Sequence, residues 1–215
     1  LGLAYLKGKG VTRNSTRAFK WFEQAAERGW GAAQFGLGQM YCSGEGVAQD
    51  YQRAASWLRK ASEQGKAGAQ SALGSLYLHG HGVRRDVAEA AKWFRKAAEK
   101  GNGDAQYQLA RLHAEGLLGT ADLGEAVRWY RQSADQGDSR AQIELGLLYR
   151  RGAGVLQDFV QAYTWLNLSA AQGNQEAADK RDRLARHMSS TAIAKAQEQS
   201  AQWTSKRSDT DSDDS

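Results

Sequence analysis

The sequence predicts an all-α fold: a right-handed α-α superhelix, or solenoid, of about five 36-residue helix-turn-helix repeats with a C-terminal capping hairpin. Three observations predict it. Trp21, Trp57, Trp93, Trp129 and Trp165 stand at a constant step of 36 residues, in a chain that has seven Trp in all. A fixed period in this range marks a stack of repeats. Leucine, tyrosine, glycine, aspartate and alanine positions keep the same step. The chain has no proline and 24 glycines, a composition that suits short helices joined by glycine turns.

Each unit opens with a helix. Leu1-Gly2 recurs as Leu37-Gly38, Leu73-Gly74, Leu109-Ala110 and Leu145-Gly146, and four residues on come Tyr5, Tyr41, Tyr77, His113 and Tyr149. Residues i and i+4 share a helix face. A Gly-x-Gly-Val loop follows in four copies, for instance Gly44/Gly46/Val47 and Gly80/Gly82/Val83. Asn14, Asp50, Asp86, Asp122 and Asp158 then stand where a second helix needs an N-cap. In that helix Ala54, Trp57, Leu58 and Ala61 form an amphipathic stripe. Gly29, Gly65, Gly101, Gly137 and Gly173 close the units as C′ residues. A glycine inside the first helix costs about 1 kcal/mol relative to alanine. Its recurrence after leucine implies that something large packs there, and the indole of the second helix is the expected partner.

This pattern, Leu-Gly-x-x-Tyr-x-x-Gly-x-Gly-Val-x-x-Asp-x-x-x-Ala-x-x-Trp-x-x-x-Ala-Ala-x-x-Gly, resembles the Sel-one-like repeat, a longer relative of the tetratricopeptide repeat of about 34 residues. The resemblance runs over 1–173, with the first copy truncated at its N-terminus. The fourth copy departs most: His113 replaces tyrosine, and Glu115-Gly116-Leu117-Leu118-Gly119 lacks the Gly-Val pair, so a different turn is expected. Residues 174–203 read as two capping helices, Asn174–His187 and Thr191–Trp203, the second N-capped by Ser189-Ser190. The segment 204–215 is rich in Ser and Asp with no apolar residue and reads as a disordered acidic tail. The chain begins at Leu1, partway through a helix, and reads as the C-terminal part of a longer protein. Any targeting signal would lie upstream, leaving cytoplasmic and periplasmic or secreted locations both open.

The formal net charge is +5. A basic body can attract acidic partners or nucleic acid. Many cations, however, sit beside Trp on second helices, as in Arg59-Lys60 and Arg95-Lys96, and read as solvated outer faces. No apolar run reaches the roughly 18 residues of a spanning helix. Cys42 is the single cysteine, so it makes no internal disulfide and no zinc site of its own. Secreted members of the resembled family carry paired cysteines in each repeat, and this chain departs from them. His79 and His81 flank Gly80, but no third metal ligand follows at a clear spacing, and the matching loop positions vary. No phosphate loop, dinucleotide fingerprint or nucleophile elbow is present. No cofactor, metal or small-molecule substrate is therefore expected.

The resemblance implies a non-catalytic adaptor, often bacterial, that binds a protein or peptide on the concave surface lined by first helices. Helix phase then nominates Phe35, Gln39, Ser71, Ser75, His79, Tyr107, Arg111, Leu147, Arg150 and Arg151 as the partner-binding groove, with Cys42, Ser43, Leu78 and Ile143 beside them. Arg111, Arg150 and Arg151 make one end basic, which points to an acidic group on the partner. Two alternatives stay open. Some relatives are described as penicillin-binding or β-lactamase-like hydrolases, although this chain lacks Ser-x-x-Lys. A nucleic-acid-binding array is the other, with a steep salt dependence as its mark.

Overall fold

A computed structural model of the chain describes residues 1–213, with side chains described through Lys206. It is all-helical among the described residues. Two compact units emerge, Leu1–Ala105 and Gln106–Ser215. The first holds α1 (Gly2–Lys7), α2 (Ser15–Glu27), α3 (Gly31–Ser43), α4 (Tyr51–Glu63), α5 (Ala67–His79) and α6 (Val87–Ala98). Next comes α7 (Gly103–Ala114), which crosses the boundary between units. The second unit continues with α8 (Leu123–Asp135), α9 (Ser139–Arg151), α10 (Phe159–Ala171), α11 (Gln175–Ala185) and α12 (Ser190–Asp213). Odd-numbered helices from α1 to α9 are the first (A) helices of the repeats, and even-numbered helices from α2 to α10 are the second (B) helices. From α1 to α6, and again from α8 to α11, each helix packs on the next.

One backbone bond closes every hairpin. The amide of Asn14, Asp50, Asp86, Asp122 and Asp158 donates to the carbonyl of Tyr5, Tyr41, Tyr77, His113 and Tyr149, at 2.9, 3.0, 2.9, 3.0 and 3.1 Å. The side chain of the same residue caps its B helix, as when Asp86 accepts from the Glu89 amide at 2.9 Å. The expected caps are thus in place, and each cap residue also sets the distance between its two helices. The fourth copy keeps this closure while its loop takes another path, with Gly119 at φ 128° and Leu117 and Leu118 exposed. In the second, third and fifth copies the second loop glycine does something further. A Cβ on Gly46, Gly82 or Gly154 would run into the backbone of Ser15, Tyr51 or Leu123, at the start of the preceding B helix. Gly82 also has φ 67°, which L residues rarely adopt.

The expected seat of the indoles is wrong by one residue. A Cβ on Gly38 would lie 2.7 Å from Leu58, one on Gly74 2.9 Å from Phe94, and one on Gly146 3.0 Å from Leu166. In these three copies the residue after the Trp therefore fills the glycine notch, and Leu58, Phe94 and Leu166 are fully buried. The indoles lie beside that contact and vary in depth. Trp21 is 42% exposed and Trp57 half-buried, whereas Trp93, Trp129 and Trp165 retain 8%, 4% and 6%. Lys60 covers Trp57 at 4.1 Å, Lys96 covers Trp93 at 4.4 Å and Arg128 covers Trp129 at 4.6 Å. An indole at the rim keeps its face within reach of a cation; the next residue, turned by about 100° on the helix, points straight at the A helix.

A second periodic set runs through the core. Gln34, Gln70 and Gln142 are buried, and their amides donate to the carbonyls of Ala26, Ser62 and Ala134 at 3.2, 3.1 and 3.2 Å. Those carbonyls lie in the last turns of B helices, where each already accepts the amide of the closing glycine, Gly29, Gly65 or Gly137, so the glutamine is a second donor. Gln64, Gln136 and Gln172 in turn donate to Gln34, Gln106 and Gln142 at 2.8, 2.7 and 2.9 Å.

The C-terminal pair caps the second unit. Asn174 accepts from the Ala177 amide at 3.1 Å and Ser189 from Ala192 at 3.2 Å, starting α11 and α12. Ala196 of α12 is buried, and Trp203 meets Trp165 edge-on at 6.5 Å between centroids. The α12 helix runs past the expected boundary at Trp203 and continues to Asp213, through most of the segment read as a disordered tail. The end of that tail, 214–215, lies outside the described residues.

Removing the fully buried Phe94 ring is expected to cost about 3–5 kcal/mol. Trp21→Ala should lose less than half of that, because much of its ring already meets solvent. Equal losses in urea denaturation would contradict the notch assignment. Gly101 and Gly82 provide a second comparison. Gly101→Ala meets no atom within 4 Å and carries only backbone strain, about 1–2 kcal/mol. Gly82→Ala adds the overlap with Tyr51, about 1–3 kcal/mol more, and should melt at a distinctly lower temperature.

Candidate interaction surfaces

Most periodic side chains are consumed by packing, so the A-helix residues outside the pattern are the candidates for an interaction surface. They fall on both units and are described for each. In the first unit Phe35, Gln39, Cys42 and Ser43 line one wall of an apolar cleft of about 1150 Å³. Leu3 and Leu6 of α1 and Trp21 and Ala25 of α2 are also part of its lining. Phe35 also leans on α5, where a Cβ on Gly68 would come within 3.0 Å of its ring. Burial pushes the Cys42 thiol above its ordinary range.

Further along the first unit the nominated residues divide. Ser71 is buried, and its hydroxyl donates to Asp104 at 3.0 Å; Leu78 is buried as well. Both are turned into packing and do not form an open groove wall. Ser75 is half-buried, and its carbonyl lies 2.9 Å from Nδ1 of His79. His79 is exposed and stacks on His81 at 5.6 Å, which stacks on Tyr51 at 4.8 Å. The paired imidazoles thus extend a ring stack at the joint between two repeats. Among the described residues, no group of three or more His, Cys, Asp or Glu is placed to hold a metal ion.

In the second unit Tyr107 is half-buried, tilted against Tyr130 at 5.7 Å, and covered by the Arg140 guanidinium at 4.2 Å. Arg111 pairs with Glu115 at 3.5 Å. Leu147 is half-buried, and its carbonyl accepts from Nε of the exposed Arg151 at 3.3 Å. Arg150 is half-buried, and its carbonyl accepts from Gln157 at 2.9 Å. Ile143 is buried and joins the core. Lys180 of α11 pairs with Glu176 at 2.8 Å, and Arg140 with Asp138 at 2.7 Å. Burial works against the Asp138 charge, but bonds from Arg140 and from the amides of Ala141 and Arg140 outweigh it and hold this carboxyl low.

Sequence reasoning passed over two residues of this face. Glu144 occupies the slot that is Gly36 and Ala72 in the first unit, and Tyr130 the slot of Phe22, Leu58, Phe94 and Leu166. In the first unit these slots touch, since a Cβ on Gly36 would lie 2.7 Å from Phe22. The signal was a phenol in a slot otherwise filled by Phe or Leu, and a slot that turns from Gly36 and Ala72 to the polar Gln108 and Glu144 in the second unit. Burial raises the Glu144 carboxyl above its ordinary range, with Arg151 opposing and Glu176 adding to the shift. Burial likewise pushes the Tyr130 phenol far up, helped by the charge of Glu144.

The repeat profile described as Sel1 repeat matches residues 1–30, 31–66, 67–102, 103–138 and 139–174. Among solved structures, the Sel1 repeat protein from Oxalobacter formigenes is 33% identical, covering 94% of this chain and 84% of that one with a TM-score of 0.80. The protein c5321, a protective antigen present in uropathogenic Escherichia coli strains and displaying an SLR fold, is 26% identical. It has a TM-score of 0.56 over 94% of this chain and 59% of its own length. Immunity protein PA5088 from Pseudomonas aeruginosa shares the fold at 20% identity, with a TM-score of 0.55 over 95% of this chain and 82% of that one. A comparison with curated proteins gives no match. Five consecutive copies of one repeat, each closed by the same bond between a cap amide and an A-helix carbonyl, place the chain in the Sel1 repeat family.

Proposed function

We propose that this chain is a non-catalytic protein-binding scaffold whose A-helix faces receive a protein or peptide partner. The supporting observation is the division of labour among its residues. The repeated Gly, Asp, Gln, Ala and aromatic side chains hold helices together, while Gln39, Tyr107, Arg111, Leu147 and Arg151 vary between copies and reach solvent. Three of the five ladder indoles are not open platforms for bases, because lysine and arginine side chains already cover Trp57, Trp93 and Trp129.

An acidic partner has less support than the arginine count suggests. Arg111 is tied to Glu115, Arg140 to Asp138 and Lys180 to Glu176. Of the three arginines that made the face basic, Arg150 and Arg151 are left without a close carboxylate among the described residues.

Affinity enrichment from the source cell, quantified by mass spectrometry, tests the scaffold reading. Leu147→Asp and Arg111→Glu on the A-helix face should each reduce recovery of a specific partner by at least about tenfold, as truncation of a central contact does. Lys60→Glu on a B helix should leave recovery unchanged. The reading fails if the A-helix variants recover the partner as well as the parent chain does.

A further inference from the structure

The second unit has an edge separate from its A-helix face. Its exposed large apolar side chains are Leu117, Leu118, Leu156 and Phe159, at 42%, 37%, 89% and 38% exposure. All four sit where an A helix turns into its B helix: two in the fourth loop, one in the fifth, and one at the first residue of α10. The matching loop places in other copies are polar or small. Leu156 corresponds to Thr12, Ala48, Arg84 and Thr120, and Leu117 to Lys9, Glu45, His81 and Ala153. The two loops are neighbours, because a Cβ on Gly154 would lie 2.4 Å from the carbonyl oxygen of Leu123, the residue after the fourth cap. Phe159 is uncovered for a structural reason. Gly46, Gly82 and Gly154 lie against the residues that open the preceding B helices, but the turn from α11 to α12 has no glycine in 186–190 to lie against Phe159.

Cations gather at the same edge. The α10 and α11 helices are joined by a short turn, and Arg181 donates to Asn167 at 3.0 Å across the pair. Counting outward from that contact along two antiparallel helices brings the end of α11 to the start of α10, beside Phe159. Arg183 and the C-cap Arg186 stand there, both exposed and neither in an ion pair among the described residues. Between Asp182 and Glu198 the chain has no acidic residue. The carboxylates on the neighbouring loops are engaged. Glu115 pairs with Arg111, and Asp122 and Asp158 accept the helix amides of Glu125 and Gln161. Protruding apolar tips beside unpaired arginines match an interface that is apolar below a layer of negative charge. A bilayer surface supplies both, in its acyl boundary and its phosphate headgroups. It also accepts separate protruding side chains, whereas a stable protein interface needs a larger continuous and complementary patch.

We propose that this loop edge of the second unit docks on a membrane surface rich in anionic lipid, with Leu117, Leu118, Leu156 and Phe159 entering the interface and Arg183 and Arg186 meeting headgroup phosphates. Among the described residues no helix is long and apolar enough to cross a membrane, so the contact is peripheral. Docking through the loop edge leaves the A-helix face of the same unit open to a protein partner.

The test is co-sedimentation of the 215-residue chain with vesicles of phosphatidylcholine alone and of equal parts phosphatidylcholine and phosphatidylglycerol. The chain should pellet with the mixed vesicles and stay in solution with phosphatidylcholine alone. Leu117→Ser with Leu156→Ser should weaken partition at least about tenfold, because two leucines no longer leave water. Arg183→Glu with Arg186→Glu should also weaken it at least about tenfold. Lys20→Glu with Lys60→Glu, an equal change of charge on B helices of the first unit, should bind as the parent chain does. All these side chains are exposed, so circular dichroism should show every variant folded. A parent chain that does not pellet with the mixed vesicles, or pellets equally with both kinds, would overturn the assignment. So would partition that the leucine and arginine variants leave unchanged. If the parent chain ignores vesicles while the leucine variant loses a protein in the enrichment experiment, the edge docks protein and the membrane assignment falls. The scaffold reading is decided separately, by Leu147→Asp and Arg111→Glu on the A-helix face.

Discussion

The fold depends on one close approach: an A helix and its B helix meet where the A helix has no Cβ. At Gly38, Gly74 and Gly146 a methyl group would sit 3.0 Å or less from Leu58, Phe94 and Leu166. That spacing lets the cap residue's amide reach the carbonyl four residues past the leucine pair, and so permits a short hairpin. At the ends of three B helices a buried glutamine of the next repeat adds a second hydrogen bond to a last-turn carbonyl. A methyl group at the notch would crowd Leu58, Phe94 or Leu166, although the closing bond itself survives in the fourth copy, where Asp122 donates to His113 at 3.0 Å. The fourth copy carries Ala110 there and faces Tyr130, the one phenol at a position otherwise filled by Phe or Leu.

Much of this was legible from spacing alone. The hairpins, the caps and the C′ glycines follow from residue types whose backbone roles are local, and local roles survive without knowledge of packing. The indole assignment failed for a different reason. Trp and the residue after it both lie on the apolar side of the B helix, and size alone favours the larger ring as the deeper one. Depth is set by direction, and the notch points at the smaller neighbour. The glutamine set at 34, 70, 106 and 142 was equally periodic but less conspicuous. Glutamine is usually a surface residue, so its regularity has meaning only once the B-helix carbonyls facing it are known.

The candidate surfaces were harder to read, because helix phase predicts a direction and not a neighbour. Phase placed Gln39, Arg111 and Arg151 outward. It also nominated Ser71, Leu78 and Ile143, which the adjoining helices bury. Charge was the weakest guide. Counting arginines made one face basic, whereas Arg111 is paired with Glu115 one helical turn away and the neighbouring Arg140 with Asp138 at the preceding cap. Residues that break the repeat were more informative than residues that decorate it. Tyr130 replaces the Phe or Leu of its slot, and Gln108 and Glu144 replace the Gly or Ala of theirs, departures that no backbone role explains.

The second loop glycines carry an evolutionary consequence. Gly46, Gly82 and Gly154 abut the main chain of the preceding B helix, at Ser15, Tyr51 and Leu123, three residues with nothing in common but their backbone. This one contact tolerates any side chain at the start of the preceding helix, although other contacts at the seam, such as His81 on Tyr51 and Gln34 with the Ala26 carbonyl, do depend on side chains. Copies that keep those few positions can then be duplicated, deleted or reordered by recombination without re-matching the rest of the seam. Array length and surface composition become free to diverge while the joint is inherited intact.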